Sequence, residues 1–276
     1  MLPITVVLPV YHRVEPEHFD EAFASVMGQT SPVAEVIVVA DGPLPDALDS
    51  RVVRAVDNAE NASLLRLEEN QGVAIATNLA LEAASQPWFA RQDADDISLP
   101  RRFELSWERL ERGDLAGLGG ALLEFEGEPS NVVATRRLPG SVDEVARYVR
   151  VNSPINNPTS VVNTEAARKV GGIRPVHLME DYDLFARLIA GGYRLENLED
   201  PLVLFRSDPD MFKRRRDMKL YKAEWVMQAN LRRYGLISWP RSLINLAVRI
   251  GVRLLPNSVF VFLHKRVFRD ADSSKG

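Results

Sequence analysis

Cysteine is absent from all 276 residues. That excludes disulfides, thiolate metal sites and cysteine nucleophiles, and it fits a reducing compartment. No basic region followed by an apolar segment opens the chain. Met1-Leu2-Pro3-Ile4 runs straight into a β-branched stretch, so no signal peptide is expected. No apolar run reaches the ~20 residues needed to span a bilayer. No Gly-x-Gly-x-x-Gly follows the first apolar stretch, which argues against a dinucleotide-dependent dehydrogenase. A Gly-rich, Lys-containing N-terminal loop of the kind nucleotidyltransferases use is also missing. Internal repeats and low-complexity linkers are absent as well.

What remains is ordinary in bulk, with 46% apolar and 26% charged residues. One α/β body with a tail is the expectation at this length. The net charge of −4 conceals an asymmetry. Residues 1–210 carry 19 Lys and Arg against 34 Asp and Glu, a net of −15, whereas residues 211–270 carry 14 against 3, a net of +11. Blocks of opposite sign imply different partners for the two parts.

The first half alternates two periods. Ile4–Val10, Glu35–Ala40, Val52–Val56, Leu64–Leu67 and Pro87–Gln92 read as strands, and Glu17–Met27, Val73–Ala84 and Pro100–Glu111 as helices. This βαβα order predicts a mostly parallel central sheet with helices on both faces. Ligands of such sheets bind beyond the carboxyl ends of the strands, where Tyr11, Asp41 and Asp93 fall. In the second half, Leu115–Phe125, Thr159–Val162 and Tyr193–Phe205 read as extended. Ser141–Val149, Asp181–Ala190 and a long stretch from about Phe212 to Tyr234 read as helical.

Two acidic clusters stand out, Asp93-Ala94-Asp95-Asp96 and Glu180-Asp181. Crowded carboxylates repel one another unless a cation or a reacting group lies between them. Asp93 and Asp95 follow a strand at a spacing of two, which an extended backbone would point to one side. They suit Mg²⁺ or Mn²⁺ beside a diphosphate; the plainer reading is a solvated turn or a cap for the helix near Pro100. Glu180 and Asp181 open a helix, where they serve either as a base for a sugar hydroxyl or as simple dipole complements. Asn70-Gln71-Gly72 before a helix offers backbone amides, or is only an ordinary helix start.

Pro9-Val10-Tyr11, Glu35 to Gly42, Asn70-Gln71-Gly72-Val73-Ala74, Asp93-Ala94-Asp95-Asp96, Asn152 to Thr159, Gly171-Gly172-Ile173-Arg174, Glu180 to Leu184 and Lys213-Arg214-Arg215 occur in that order. Over roughly residues 3–235 this series resembles family 2 glycosyltransferases, and within them the bacterial branch that includes amylovoran-type galactosyltransferases of exopolysaccharide synthesis. The resemblance implies a GT-A fold, a nucleoside diphosphate sugar donor (UDP-linked by expectation), Mg²⁺ or Mn²⁺, and inversion at the anomeric carbon. By position, Pro9 and Tyr11 would line the nucleoside pocket, Asp41 would accept a hydrogen bond from the base, and Asn70 and Gly72 would border the donor; Arg91 would either contact the donor or be a surface residue. Asp93 would sit by the ribose or diphosphate and share the metal with Asp95. Asp181 would be the general base, with Glu180 beside it at the acceptor end. The sequence departs from the pattern at Ala40, where many members have a first aspartate, and at Asn157, where close relatives have histidine. The Gln-x-x-Arg-Trp segment of processive synthases is missing, so one sugar per binding event is expected.

The implied organisation is a catalytic body over 1–210, with a donor half of about 1–115 and an acceptor half of about 116–210. A basic helical extension over 211–276 follows. Lys213 to Arg216 reads either as a solvated face or as a partner for diphosphate, and no aromatic interleaving marks it for nucleic acid. Arg241, Asn245, Arg249 and Arg253 form a narrow polar stripe on an otherwise apolar helix, and Val259–Leu263 adds an apolar patch. That helix either packs on the body or lies in the plane of an anionic inner membrane, where a polyprenyl-linked acceptor would be. A cytoplasmic enzyme, peripheral on that membrane face, is the location expected. The rival from another class is a catalytically silent sugar-nucleotide-binding or scaffold protein at the membrane, for which paired acidic clusters serve no purpose.

Overall fold

A computed structural model describes residues 1–207 and 218–254. Its spine is the β-branched stretch read above, strand β1 (Leu2–Val10), which is buried from Ile4 onward. Alternate side chains leave β1 in opposite directions. Ile4, Val6, Leu8 and Val10 enter one core, with Phe19 and Phe23 of α1 (Pro16–Met27), Leu48 and Val52 of α2 (Asp46–Asp57), and Phe103 and Leu110 of α4 (Arg102–Leu110). Val7 enters the other, with Ile37 and Val39 of β2 (Val33–Ala40), Ala80 and Leu81 of α3 (Val73–Ala83), and Leu184, Phe185 and Leu188 of α7 (Glu180–Ala190). Helices on both faces of one sheet are therefore a consequence of β1 being apolar on both sides.

The remaining strands are β3 (Ala62–Arg66), β4 (Trp88–Arg91), β5 (Ile97–Ser98), β6 (Gly117–Phe125), β7 (Val132–Arg136), β8 (Val161–Asn163) and β9 (Leu195–Arg206). Their order is β3-β2-β1-β4-β8-β6-β9-β5, with β7 beside β6. The sheet is parallel from β3 through β4 and between β6 and β9, and antiparallel elsewhere. Parallel pairing brings the carboxyl ends of β1, β2 and β4 to one edge, with Val10 opposite Ala40 and Val7 opposite Arg91. The residues just beyond those ends are Tyr11, Asp41 and Asp93.

Val52–Val56, expected as a strand, is the second half of helix α2. Leu48 and Val52 are spaced by four and both fully buried, so the helical period prevails over the β-branched composition. Helices α5 (Val142–Tyr148) and α6 (Thr164–Lys169) complete the body. The extension contributes α8 (Met218–Arg233) and α9 (Trp239–Leu254). Leu220, Ala223, Met227 and Leu231 of α8 share a third core with Val149, Val176, Met179, Tyr182 and Ala186, so these helices pack on the body. Lys213 to Arg216 and the Val259–Leu263 patch lie outside the described residues.

Candidate active site

The stretch after β4 does not stay extended. Asp96 N–H donates to Asp93 O at 3.3 Å, closing a turn over Asp93–Asp96. Asp93 folds back on Arg91, whose Nε and second guanidinium nitrogen meet Asp93 Oδ1 at 2.7 and 2.6 Å. The third Arg91 nitrogen donates to Thr77 Oγ1 of α3 at 2.7 Å. Arg91 is thus no surface residue; it stands in the cleft between α3 and the turn. Asp95 is reached by solvent at the turn yet closely surrounded by protein, and that desolvation, then the like charge of Asp93, raises its pKa. Neither aspartate caps the helix near Pro100.

Buried groups fix the turn from beneath. Gln92 Nε2 donates to the carbonyls of Asp93 and Asp96 at 2.9 and 2.8 Å. Arg102, fully buried, donates to Gln92 Oε1, Ser98 Oγ and Arg91 O, and burial lowers its pKa to about 9. Asp96 is buried as well. Its Oδ1 accepts from Arg206 N–H at 2.9 Å, and Arg206 Nε donates to Asp95 O at 3.0 Å. Desolvation, then the charges of Asp93 and Asp95, push the Asp96 pKa well up.

The second strand end is tied just as closely. Asp41 is nearly buried and accepts the backbone amides of Gln71 at 2.8 Å and Gly72 at 3.0 Å, while Asn70 Nδ2 donates to Asp41 O at 3.1 Å. A Cβ at Gly42, where φ is +84°, would lie 2.5 Å from Asn70 N, so glycine is required there. Asp41 therefore holds the Asn70-Gln71-Gly72 loop at the start of α3. Pro9 is buried in β1, and Tyr11 is exposed beyond it, edge-on to His12.

Glu180 and Asp181 occupy the first turn of α7, and neither caps it. Ser153 Oγ donates to Asp181 Oδ2 at 3.2 Å. Desolvation raises both pKa values despite the favourable helix dipole; Asp181 adds to the rise at Glu180 and Asp93 to the rise at Asp181, while Arg91 opposes it at Glu180. Arg91, bonded to Asp93, lines the same cleft as Glu180 and Asp181, and so links the two clusters. Leu178, just before them, is the one non-glycine residue among those described with positive φ, at 58°, a strain that marks functional turns. An open cleft lies between Val73, Thr77, Arg91, Asn157, Ser160, Glu180 and Asp181, among others. Such a site can bind a polyanion near Arg91, recruit a hard cation at the turn and accept a proton at α7.

Residues 5–169 match the family model described as Glycosyl transferase family 2. The chain belongs to that family. This family 2 glycosyltransferase is 31% identical to a Haemophilus influenzae protein named only as a glycosyltransferase, over 97% of this chain and all of that one. It is 29% identical to the amylovoran biosynthesis glycosyltransferase AmsE of Erwinia amylovora, over 95% of this chain and 98% of AmsE. It is 30% identical to the Escherichia coli UDP-Gal:alpha-D-GlcNAc-diphosphoundecaprenol beta-1,3-galactosyltransferase, over 96% of each chain. Among solved structures it superposes on S. aureus TarS (residues 1–349) with a TM-score of 0.66 at 17% identity, covering 91% of this chain and 71% of that one. The fold is GT-A.

Thr77, Ser153 and Ser160 carry no role in the sequence reading, yet they line the cleft or contact its acids. Thr77 offers the one legible signal, a lone hydroxyl in the apolar run Val73-Ala74-Ile75-Ala76-Thr77 of a glycosyltransferase helix. Ser153 reaches Asp181 only through the tertiary fold.

Proposed function

We propose that the chain is an inverting glycosyltransferase that moves a hexose from a nucleoside diphosphate sugar, UDP-linked, to a saccharide or polyprenyl-diphosphate-linked acceptor in exopolysaccharide synthesis. The observation that carries this reading is the convergence of the β4 turn and the α7 carboxylates on one cleft, bridged by Arg91. The AmsE and diphosphoundecaprenol galactosyltransferase relatives support the pathway, the galactose-type donor and the acceptor class. Residues of about 1–115 supply the donor half and 116–210 the acceptor half.

The residues fit a divalent cation. Asp95 is exposed on the turn beside Asp93, and their mutual repulsion is what a cation relieves. Among the described residues no group of three or more His, Asp or Glu stands ready to hold a metal alone, so donor phosphates and water would complete the shell. Asp95, with Asp93, would hold Mg²⁺ or Mn²⁺, whose chemistry is neutralising charge on the departing diphosphate. A mannosyltransferase from Pyrobaculum calidifontis, solved with GDP-Man and Mn²⁺, shares the fold, with a TM-score of 0.62 at 15% identity over 96% of this chain and 79% of that one.

The chain's own residues then act as follows. Pro9, Tyr11 and Asp41 with its Asn70–Gly72 loop border the nucleoside. Arg91 meets diphosphate oxygens, with Asp93 holding it in place. Asp181 accepts the proton of the acceptor hydroxyl as that oxygen bonds to the anomeric carbon. The bond from that carbon to the diphosphate oxygen breaks with its electron pair leaving on the nucleotide. Glu180 shapes the acceptor end beside the base. A raised pKa suits Asp181 to this work, because a base acts best near its operating pH.

The test is thermal stability with UDP, dTDP and GDP, each with and without Mn²⁺. A ligand at 100 times its Kd stabilises by about 2.7 kcal/mol. The expected result is a Tm rise with UDP that requires Mn²⁺ and disappears in Asp95→Ala. No shift with any nucleotide would move the weight to the scaffold reading.

A further inference from the structure

Helix α9 is amphipathic in the reverse of the usual sense. Its inward positions are Ser242, Asn245, Leu246 and Arg249. Asn245 Nδ2 donates to Arg150 O at 2.8 Å and to Gln228 Oε1 at 3.1 Å. Arg249 pairs with Glu224 at 2.6 Å and donates to Val151 O and Asn152 Oδ1, both at 2.8 Å. Asn245 and Arg249 of the polar stripe therefore face the protein, and the apolar stripe faces out. Leu243, Ile244 and Val248 are 45, 56 and 58% exposed, and Ala247 and Gly251 share their face. Trp239 at the start of α9 and Trp225 and Val226 on neighbouring α8 are exposed as well. A surface helix normally buries its apolar stripe, and an apolar patch left outward marks an interaction surface.

The charge around the patch selects the occupant. Among residues 218–254 the only acid is Glu224, which is buried. Lys219, Lys222 and Arg233 are exposed along one face of α8 with Val226, at helical spacings, and Arg241 is exposed one turn before Ile244. A second copy of the chain docking face to face would set these cations against themselves. An anionic lipid surface meets both demands. It takes the aliphatic side chains into its acyl boundary, the two tryptophans at headgroup level and the cations among lipid phosphates.

We propose that the outer face of α8 and α9 is a docking surface for an anionic bilayer, with Ile244 and Val248 as its apolar centre. It rests on the polyprenyl-linked acceptor of the function proposed above, which would lie in such a bilayer. It also gives α9 a second task. Arg249 grips the Val151-Asn152 segment that leads into Ser153, the partner of Asp181, so the helix that meets lipid is tied to the loop beside the base.

The full chain is mixed with vesicles of phosphatidylcholine alone or with phosphatidylglycerol, and sedimentation and quenching of tryptophan emission by brominated lipid are read. Binding and quenching with phosphatidylglycerol vesicles, lost by about tenfold in Ile244→Glu/Val248→Glu and weakened by salt, is the expected result. Val133→Glu, an exposed valine of β7 distant in sequence, controls for added charge and should bind normally. Unchanged binding in the double variant would overturn the assignment. So would no binding, whether accompanied by a dimer that Ile244→Glu/Val248→Glu dissociates, pointing to a second copy, or relieved by deleting residues 255–276, pointing to self-coverage. Because vesicle binding needs no donor, its failure is separable from loss of transfer to a soluble acceptor, which would instead count against the glycosyltransfer reading.

Discussion

The carboxylates beyond β4 and those at the start of α7 are linked through Arg91, which Asp93 holds in the cleft that Glu180 and Asp181 line, but the chain fixes the two groups by different means. At the turn after β4, the donor end on the function proposed above, most fixing groups are close in sequence or on neighbouring parallel strands, and Arg206 of β9 joins them from afar. Asp41 grips the Asn70–Gly72 loop, and Gln92, Ser98 and Arg102 brace the turn that follows β4. At the acceptor end the fixing groups come from far along the chain. Asp183, one helical position beyond Tyr182, accepts from Arg187 Nε at 2.8 Å, Asn230 Nδ2 at 2.9 Å and Tyr234 OH at 2.8 Å. Tyr182 OH donates to Val149 O and lies beneath the Arg249 guanidinium. The donor end is thus set by strand topology, and the acceptor end by side-chain packing against α8 and α9. On the function proposed above, one nucleotide site can be kept while the acceptor site changes with the segments packed behind it.

The sharpest way to separate the two ends is Asp181→Ala. If Asp181 is the base, turnover falls by ~10²–10⁴-fold, while the Tm shift with UDP and Mn²⁺ stays intact. Near-normal kcat in this variant would remove Asp181 from the mechanism and leave Glu180 as the carboxylate to test. The next largest effect is on stability. Asp183→Ala strands the buried Arg187 with the Val170 and Gly172 carbonyls and removes the bonds that tie α7 to Asn230 and Tyr234. Removing one partner of a buried pair costs about 3–5 kcal/mol, readable as a lower denaturation midpoint. In Asp183→Asn, which keeps the shape, the expected change is in acceptor KM and kcat with the UDP dissociation constant unmoved. A parallel loss of UDP affinity would erase the distinction drawn here between the two ends.

The same contrast decides what the sequence could reveal. Strand and helix periods disclosed the layered α/β body because β1 and β2 are apolar on both faces. The rule that parallel strands open their sites at their carboxyl ends then located Tyr11, Asp41 and Asp93 without coordinates. Val52–Val56 misled because a β-branched run suits either period when read alone. The spacing from Leu48 to Val52 carried the helical signal. The turn at Asp93–Asp96 was not legible, since its shape depends on Arg102 and Arg206 from other elements. The sequence shows the polar stripe of α9 but not that Asn245 and Arg249 turn inward, because helical periodicity defines two faces and says nothing of which one meets the protein. Ser153 was invisible as a partner for the same reason. Its bond to Asp181 spans 28 positions and exists only once α7 is packed.

The smallest effect concerns the cost of keeping carboxylates in the cleft. Asp95, Asp96, Glu180 and Asp181 all have raised pKa values in the folded chain, chiefly from desolvation. Between the ordinary carboxylate range near pH ~4 and those raised values, the folded state binds more protons than the unfolded one. Stability contributed by these groups therefore declines as pH rises through that window, opposite to a salt-bridged carboxylate. Asp181→Asn removes one ionisation and keeps an oxygen for the Ser153 hydroxyl. Its Tm should match that of the parent protein near pH 4 and exceed it at pH 8, with the gap opening in between. Mn²⁺ with UDP should flatten the parent protein's decline, because neutralising Asp93 and Asp95 relieves the repulsion that reaches Asp181. A gap independent of pH would mean that the Asp181 charge is well solvated, and the case for it as a tuned base would then rest on kinetics alone.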